Sequence, residues 1–221
     1  MPNNNTSNTI HTSNTIHTSM QSHEIRIIGG QWKRSKLKVM HKPGLRPTPD
    51  RVRETLFNWL GQDMHGLCCV DVFAGTGALG FEAASRGADD VLLIEQDAAL
   101  VQQLQRVQSQ LQALQVPARA TSQRLRIQRG DGLAVLRQLP AASQDVVFLD
   151  PPFDFDAGTY AAVLSAARPA LCAHGAIYLE APLAWNTAML APFGLVPYRH
   201  LKAGAVHAHL LKAYNGTQLS T

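Results

Sequence analysis

Short apolar runs alternate with longer amphipathic segments from about residue 67 onwards. The runs are rich in valine, isoleucine and leucine and predict strands at 67–73, 91–95, 125–128, 146–149 and 176–180. Between them, apolar positions recur with helical spacing and predict helices at 78–86, 98–114, 133–139 and 160–171. Strands that alternate with helices in this way indicate an α/β fold with a doubly wound, mostly parallel sheet.

The C-terminal part of the pattern predicts a different connection. Two further apolar runs, 196–201 and 205–212, are separated only by a short turn that contains glycine. Such a pair is typical of an antiparallel hairpin, which brings the predicted sheet to seven strands. We assign this main domain to residues 63–214 and a C-terminal tail to 215–221.

The first residues have almost no core-forming side chains. Asparagine, threonine, serine and histidine dominate residues 1–23, and the sequence NTIHTS at 8–13 repeats at 14–19. A tract of this composition buries too little apolar surface to offset the cost of ordering, so we predict a disordered tail. One hypothesis is that translation begins at Met20, which the intact mass of the native protein would test.

Residues 24–62 form a predicted basic arm and helix. Gly29-Gly30 suggests a short hairpin or extended arm, and Thr48-Pro49 predicts a helix start with Thr48 as the N-cap. Nine basic and three acidic residues between Glu24 and Leu60 give +6, against +4 for the whole chain, which leaves −2 elsewhere. This concentration predicts a surface that binds a polyanion. The alternative is a solvated basic surface without a partner.

Several functional classes are disfavoured by composition. No apolar stretch approaches the roughly 18 residues that a membrane-spanning helix needs, and no signal peptide precedes the first arginine. The three cysteines lack metal-site spacing, and we interpret Cys68 and Cys69 as reduced core residues of a cytoplasmic protein. His207 and His209 alternate on the last strand, where we interpret them as surface polar residues, and we predict no metal.

Asp150-Pro151-Pro152-Phe153 follows the fourth predicted strand and carries the clearest chemistry. The carboxylate and the proline-fixed carbonyl can accept the two N–H groups of an exocyclic amine, while Phe153 stacks on the ring. Chemistry on a nucleobase requires such a grip, because the base must leave its stack. The alternatives are a simple Pro-Pro turn and, for Phe153, a core aromatic beneath the loop.

A glycine-rich turn follows the first strand of the main domain. Gly75, Gly77 and Gly80 match G-x-G-x-x-G, and Glu95 ends the next strand, where a carboxylate can take ribose hydroxyls. Alone, this motif would fit a dinucleotide, but Asp71 places a charge inside the strand, where dinucleotide-binding strands are apolar. Asp131 after the third strand can accept from an adenine amine or cap the following helix.

The motifs together resemble one bacterial family. RIIGG at 26–30, RPT at 46–48 and DRVRETLFNWL at 50–60, followed by DVFAGTGALG and FLDPPF, closely resemble the 16S rRNA guanine-N2 methyltransferases of the RsmD type. The resemblance covers about residues 24–213. DPPF alone is shared with adenine-N6 and cytosine-N4 enzymes, and KRSK at 33–36 stands where the family often has a glycine.

The resemblance implies a Rossmann-like class I fold and a reaction. S-adenosylmethionine would donate a methyl group to the N2 amine of a guanine, at family position 966, in 16S rRNA within the 30S subunit or a late assembly intermediate. We expect a cytoplasmic monomer. The implied catalytic set is Asp150, Pro151, Pro152 and Phe153; the cofactor set is Asp71, Phe73, Gly75, Thr76, Gly77, Glu95 and Asp131; candidate phosphate contacts are Arg34, Lys36, Arg46 and Arg51.

Three other functions remain open on the sequence. An amino-group methyltransferase could act on DNA adenine or on another RNA, since a basic arm suits any nucleic acid. A dinucleotide-dependent oxidoreductase would use the glycine motif but leave DPPF and the basic arm unexplained. A non-catalytic RNA-binding assembly factor would keep the fold without binding the cofactor.

Overall fold

The computed structural model describes residues 23–40, 42, 45, 48–114, 123–152 and 155–214. Its first two strands, β1 (His23–Arg26) and β2 (Lys36–Val39), pair antiparallel, so the hairpin predicted in the arm is confirmed. The predictions for residues 1–22, Arg46, Phe153 and the tail from 215 lie outside the described residues.

The central sheet has seven strands in the order β5-β4-β3-β6-β7-β9-β8. The first five strands in this order run parallel to one another. β9 runs antiparallel to both of its neighbours, β7 and β8. The predicted α/β sheet with a terminal antiparallel hairpin is therefore confirmed. The strands are β3 (Cys68–Asp71), β4 (Asp90–Glu95), β5 (Arg124–Arg129), β6 (Gln144–Leu149), β7 (Leu171–Ala181), β8 (Leu195–Ala203) and β9 (Val206–Ala213).

Helices cover both faces of this sheet. They are α1 (Asp50–Leu60), α2 (Ala78–Ser85), α3 (Ala98–Ala113), α4 (Gly132–Leu136), α5 (Ala157–Ala170) and α6 (Thr187–Leu190), the last running into a 3-10 turn at Ala191–Phe193. Sequence periodicity did not predict α6, because four residues are too few to show a repeat. In the part of the chain that the structure describes, every helix is too short or too polar to cross a bilayer.

Two apolar cores lie on opposite faces of the sheet. One contains Leu56 of α1, Phe81 of α2 and Leu104 of α3, together with Ile27 and Trp32 of the arm. The other packs α4 and α5 against the alternate side chains of the same strands. Successive side chains of a strand point to opposite faces of the sheet, so each strand contributes to both cores. A one-residue shift in strand pairing would exchange the two faces, so burial on both faces fixes the register of the strands.

The cysteines agree largely with the sequence interpretation. Cys68, Cys69 and Cys172 are all free in the structure. Cys69 is buried in the first core, and burial raises the pKa of its thiol. Cys68, the first residue of β3, is only half-buried.

A buried carboxylate anchors the arm to the main domain. Glu82 of α2 accepts the backbone N–H groups of Ile28 and Gly29, each at 2.8 Å. It also pairs with Arg86 Nε at 2.8 Å and with the fully buried Arg53 at 3.5 Å. A buried charge needs such partners to offset its lost hydration. The N–H groups of the arm and the guanidinium group of Arg53 in α1 are partners of this kind, so Glu82 connects the arm, α1 and α2.

A close backbone approach reinforces this anchor. Gly30 has a φ of +73°, and a Cβ at this position would lie 1.8 Å from the carbonyl oxygen of Ser85. The next two residues donate to Ser85, Gln31 N–H to its carbonyl at 2.7 Å and Trp32 N–H to its hydroxyl at 3.0 Å. Only glycine fits here, because both the conformation and the space exclude a side chain.

We predict that Glu82→Gln destabilises the protein by about 3 kcal/mol, because the buried Arg86 guanidinium loses the carboxylate that pairs with it and the buried Arg53 keeps Asp50, at 2.6 Å, but loses Glu82. The arm should also become sensitive to trypsin before the main domain unfolds. Urea unfolding and limited proteolysis measure the two effects. Glu54→Gln, which removes an exposed carboxylate from α1, is the matched control. Equal stability and equal proteolysis in the two variants would contradict the anchoring role.

Candidate active site

The carboxyl ends of the parallel strands surround one cavity of about 870 Å³. This is the edge at which open α/β sheets bind ligands. Six of the seven predicted cofactor residues line the cavity, as do three of the four predicted catalytic residues. The lining includes Asp71, Phe73, Gly75, Thr76, Glu95 and Asp131, with Asp150, Pro151 and Pro152.

The seventh residue, Gly77, shapes the turn instead of lining the cavity. It has a φ of +78° and directly precedes α2. A Cβ there would lie 2.4 Å from the ring of Phe81 and 2.7 Å from Leu104. Gly75, with a φ of +51°, also adopts a left-handed conformation. The two glycines therefore let the chain turn sharply and let α2 pack against α3.

Asp71 is a buried acid, and one of its two carboxylate oxygens lacks a hydrogen-bond partner among the described residues. Its Oδ2 accepts the Gly80 N–H at 3.0 Å, while its buried Oδ1 has no hydrogen-bond partner among the described residues. Burial raises the pKa of Asp71 to about 7; the Gly80 N–H opposes this rise, and the charge of Glu95 adds to it. Such an oxygen beside a cavity suits a ligand that brings a cation or an N–H donor.

Glu95 ties the glycine turn to the end of β4. One carboxylate oxygen accepts the Gly75 N–H at 2.9 Å, and the other accepts the Asp97 N–H at 2.8 Å. Each oxygen keeps a second lone pair for a ligand hydroxyl. Asp97 in turn caps α3 and pairs with Lys42, which also lines the cavity.

Asp131 caps a helix, one of its two predicted roles. Its Oδ1 accepts the Ala134 N–H at 2.7 Å, at the start of α4. The capping alternative is thus confirmed. Because Asp131 also lines the cavity, its role toward a cofactor stays a prediction.

The predicted N-cap role of Thr48 is wrong. No side chain caps α1; the Pro49 carbonyl accepts the N–H groups of Val52 and Arg53 at 2.9 and 3.1 Å. The Thr48 hydroxyl instead donates to Asp150 Oδ2 at 3.2 Å, across 102 residues of sequence. The reason is position: α1 begins at Asp50 with Pro49 at its N-cap, so Thr48 lies one residue before the capping position.

Asp150 lies at the cavity wall in front of a second acid, Glu180 of β7. Glu180 is buried, and Tyr178 donates its hydroxyl to Glu180 Oε1 at 2.7 Å. Burial raises the pKa of Asp150 well above its usual value, and the charges of Glu180 and Asp71 raise it further. Glu180 was not among the predicted site residues, although it ends a predicted strand as Glu95 does.

Aromatic rings line the cavity beside the DPPF loop. Phe73 meets Phe155 edge to face, with ring centres 5.4 Å apart, and Phe155 continues to Tyr160 at 6.0 Å. No role was predicted for Phe155 from the sequence, but its side chain lines the cavity. Phe155 thus packs against the turn that carries Phe73.

The interpretation of His209 as a surface residue is wrong. The side chain is fully buried, and its Nε2 accepts the Trp185 N–H at 3.0 Å. Burial lowers the pKa of His209 to about 4, because the segment around Trp185 covers this face of β9. In the described ranges, no three metal-ligating side chains group as a metal site would require. The absence of a metal remains a prediction.

The described candidate RNA contacts are exposed on the arm and on α1. Arg34 has a φ of +74° in the turn after β1, and Arg51 extends from the first turn of α1. Lys36 forms an exposed ion pair with Glu24 at 2.9 Å, which is weak in water. All three side chains are therefore available to an external polyanion.

Comparison with known proteins places the chain in a family. The sequence profile described as "Conserved hypothetical protein 95" matches residues 25–212. The chain belongs to this family. "Ribosomal RNA small subunit methyltransferase D" of Haemophilus influenzae is 40% identical over 185 residues, covering 80% of this chain and 92% of that protein. The Escherichia coli K12 protein of the same name is 47% identical over 132 residues, 60% of this chain and 62% of its own length.

A similar protein of known structure shares the fold. The Escherichia coli protein yhhF, a proposed methyltransferase, is 34% identical, with a TM-score of 0.69 over 86% of this chain and 98% of that one. The resemblance to RsmD-type proteins and the class I methyltransferase architecture are therefore confirmed.

Proposed function

We propose that this protein transfers a methyl group from S-adenosylmethionine to the N2 amine of a guanine in 16S rRNA. The target would be family position 966, presented on the 30S subunit or a late assembly intermediate. The observation that carries the proposal is the position of Asp150-Pro151-Pro152, which lines the same cavity as Asp71 and the glycine turn. Two relatives of this chain are named as methyltransferases of small-subunit ribosomal RNA.

The residues around the cavity fit S-adenosylmethionine. When bound, this cofactor supplies a methyl group that is electrophilic because it is carried on a positively charged sulfur. The buried Asp71 Oδ1 suits its ammonium group, and the remaining lone pairs of Glu95 suit its ribose hydroxyls. The left-handed turn at Gly75 leaves the backbone accessible to the ligand.

The DPPF loop would act by holding the guanine amine. Asp150 and the carbonyl of Pro151 accept its two N–H bonds, which directs the nitrogen lone pair into the cavity. Positioning of this kind supplies much of a rate enhancement, with effective molarities of about 10⁵–10⁸ M in favourable cases. Phe153 would stack on the extruded base, for roughly 1–3 kcal/mol.

The arm would position the RNA. We propose that residues 24–62 bind rRNA, with Arg34, Lys36, Arg46 and Arg51 on phosphates, and that 63–214 is the methyltransferase domain. Phosphate contacts orient a protein without reading sequence, so they complement the base-specific site. We also propose that the protein acts as a monomer in the cytoplasm, where its ribosomal substrate is found.

We predict methyl transfer from labelled S-adenosylmethionine to 30S subunits that lack this modification, and little to naked 16S rRNA or duplex DNA. Mass spectrometry should identify N2-methylguanosine. Asp150→Ala should lower the rate by more than about 10²-fold, because the amine is no longer oriented. Cofactor binding should persist, and Asp63→Ala, at an exposed acid near the start of β3, should behave as wild type.

The other outcomes of this experiment identify the alternatives. Label recovered from DNA as N6-methyladenine would overturn the substrate but keep the role of Asp150. No label in any sample, together with no cofactor binding, would favour an assembly factor without activity. A rate for Asp150→Ala within a few-fold of wild type would remove Asp150 from the mechanism.

We predict that Arg34→Gln and Arg51→Gln each weaken binding to the subunit and reduce its salt dependence. Loss of one phosphate contact should flatten the plot of log affinity against log salt by roughly 0.7–0.9. Affinity measured between low and physiological salt gives this slope. Arg106→Gln, on the exposed face of α3, is the control and should leave the slope unchanged. Unchanged slopes for Arg34→Gln and Arg51→Gln would place the RNA elsewhere.

A further inference from the structure

Asp150 and Glu180 form a pair of acids held by hydroxyl groups. In the parallel pair β6–β7 Leu149 lies opposite Leu179, so the next residues, Asp150 and Glu180, are neighbours at the carboxyl ends of the two strands. Each acid also receives a hydroxyl donor from another residue. Thr48 donates to Asp150 at 3.2 Å, and Tyr178 donates to Glu180 at 2.7 Å. Asp150 faces the cavity, whereas Glu180 is buried behind it.

Two neighbouring acids in this position favour a shared proton between them. Ionised carboxylates only accept hydrogen bonds, so two of them can bond directly only when one carries a proton. Two negative charges in contact at a poorly hydrated site would also repel strongly. Burial and the neighbouring charge of Glu180 both raise the pKa of Asp150, in the direction expected if the two acids share one proton and carry a single negative charge.

We propose that Glu180 is a positioning residue for the reaction: by sharing a proton with Asp150, it fixes the Asp150 carboxylate toward the cavity and keeps one negative charge there. This inference rests on the function proposed above. Without the shared proton, mutual repulsion would turn Asp150 away from the amine that it must hold.

The pair can also accept the proton that the reaction releases. As the amine nitrogen forms its new bond to carbon, the carbon–sulfur bond breaks, its electron pair stays on sulfur, and the nitrogen must lose one proton. Asp150 can accept that proton through the oxygen that faces the cavity. The charge of the pair then changes from −1 to 0, and the proton leaves to solvent after release of the product.

The titratable groups that act on the pair are also acids. Asp71 of β3 contributes negative charge, and Tyr160 of α5 and Tyr178 of β7 are phenols. Burial raises the pKa of Tyr160 to about 12 and that of Tyr178 well above its usual value, so both stay neutral. The proton on the pair is therefore retained because neighbouring charge is negative and water is largely excluded.

The first test counts the proton directly, without any substrate. Carboxyl carbons labelled with ¹³C are followed by NMR as the pH is raised. Besides Asp71, wild type should show a further carboxyl group that ionises well above the ordinary pKa of about 4. Glu180→Gln and Asp150→Asn should each abolish the ionisation that belongs to the pair. Asp71→Asn should remove only the ionisation of Asp71 and leave that of the pair. Survival of the ionisation of the pair in Glu180→Gln, or its absence in wild type, would overturn the proposal.

The second test separates positioning from a structural role. Glutamine can donate to Asp150 as a protonated glutamate does, so Glu180→Gln should keep kcat near wild type at neutral pH. Glu180→Leu cannot donate, and its kcat should fall by about 10²-fold while affinity for S-adenosylmethionine is retained. As pH rises and the pair loses its proton, kcat should decline in wild type but not in Glu180→Gln. Parallel declines in both proteins would contradict the inference.

Failure of the inference and failure of the proposed function give different results. If wild type methylates no rRNA, the proposed function fails, yet the NMR titration still shows whether the two acids share a proton. If methylation occurs but Glu180→Gln still shows the carboxyl ionisation assigned to the pair and keeps the wild-type dependence of kcat on pH, the proposed function is retained and the proposed role of Glu180 is rejected.

Discussion

The structure depends on the convergence of acidic side chains at one edge of the sheet. Parallel strands end at the same edge, so Asp71, Glu95, Asp150 and Glu180 are brought together where water is scarce. Carboxylates in that setting repel one another and lose hydration, so each needs donors. Backbone N–H groups serve Asp71 and Glu95, and hydroxyl groups serve the other two. Among the described residues, Asp71 Oδ1 is the one fully buried carboxylate oxygen without a hydrogen-bond partner.

A second buried charge connects the arm to this site. Glu82 holds the arm and the buried Arg53 of α1, and the residues just before α1 bring Thr48 to Asp150. The segment proposed to bind RNA and the acid proposed to hold the base are therefore joined through one helix. RNA bound to the arm would be oriented relative to the cavity because α1 is fixed at both points.

Sequence reasoning predicted those parts of the site that depend on local pattern. The glycine turn, Glu95 and Asp150 follow from one rule, that ligands bind at the carboxyl ends of parallel strands. Thr48 was misassigned because Thr-Pro is a local helix signal, whereas its true partner is 102 residues away. The burial of His209 and of Arg53 depends on which segments cover them, and strand or helix periodicity contains no such information.

Binding of S-adenosylmethionine and of NAD, compared by calorimetry, tests the identity of the cavity most directly. The cavity should bind S-adenosylmethionine and not NAD. Affinity should weaken as pH falls below about 7, because Asp71 is then protonated and no longer attracts the ammonium group. Asp71→Asn should lose this pH dependence. Binding of NAD without S-adenosylmethionine, or affinity unaffected by Asp71→Asn at any pH, would contradict a methyl-donor site built on these strand ends.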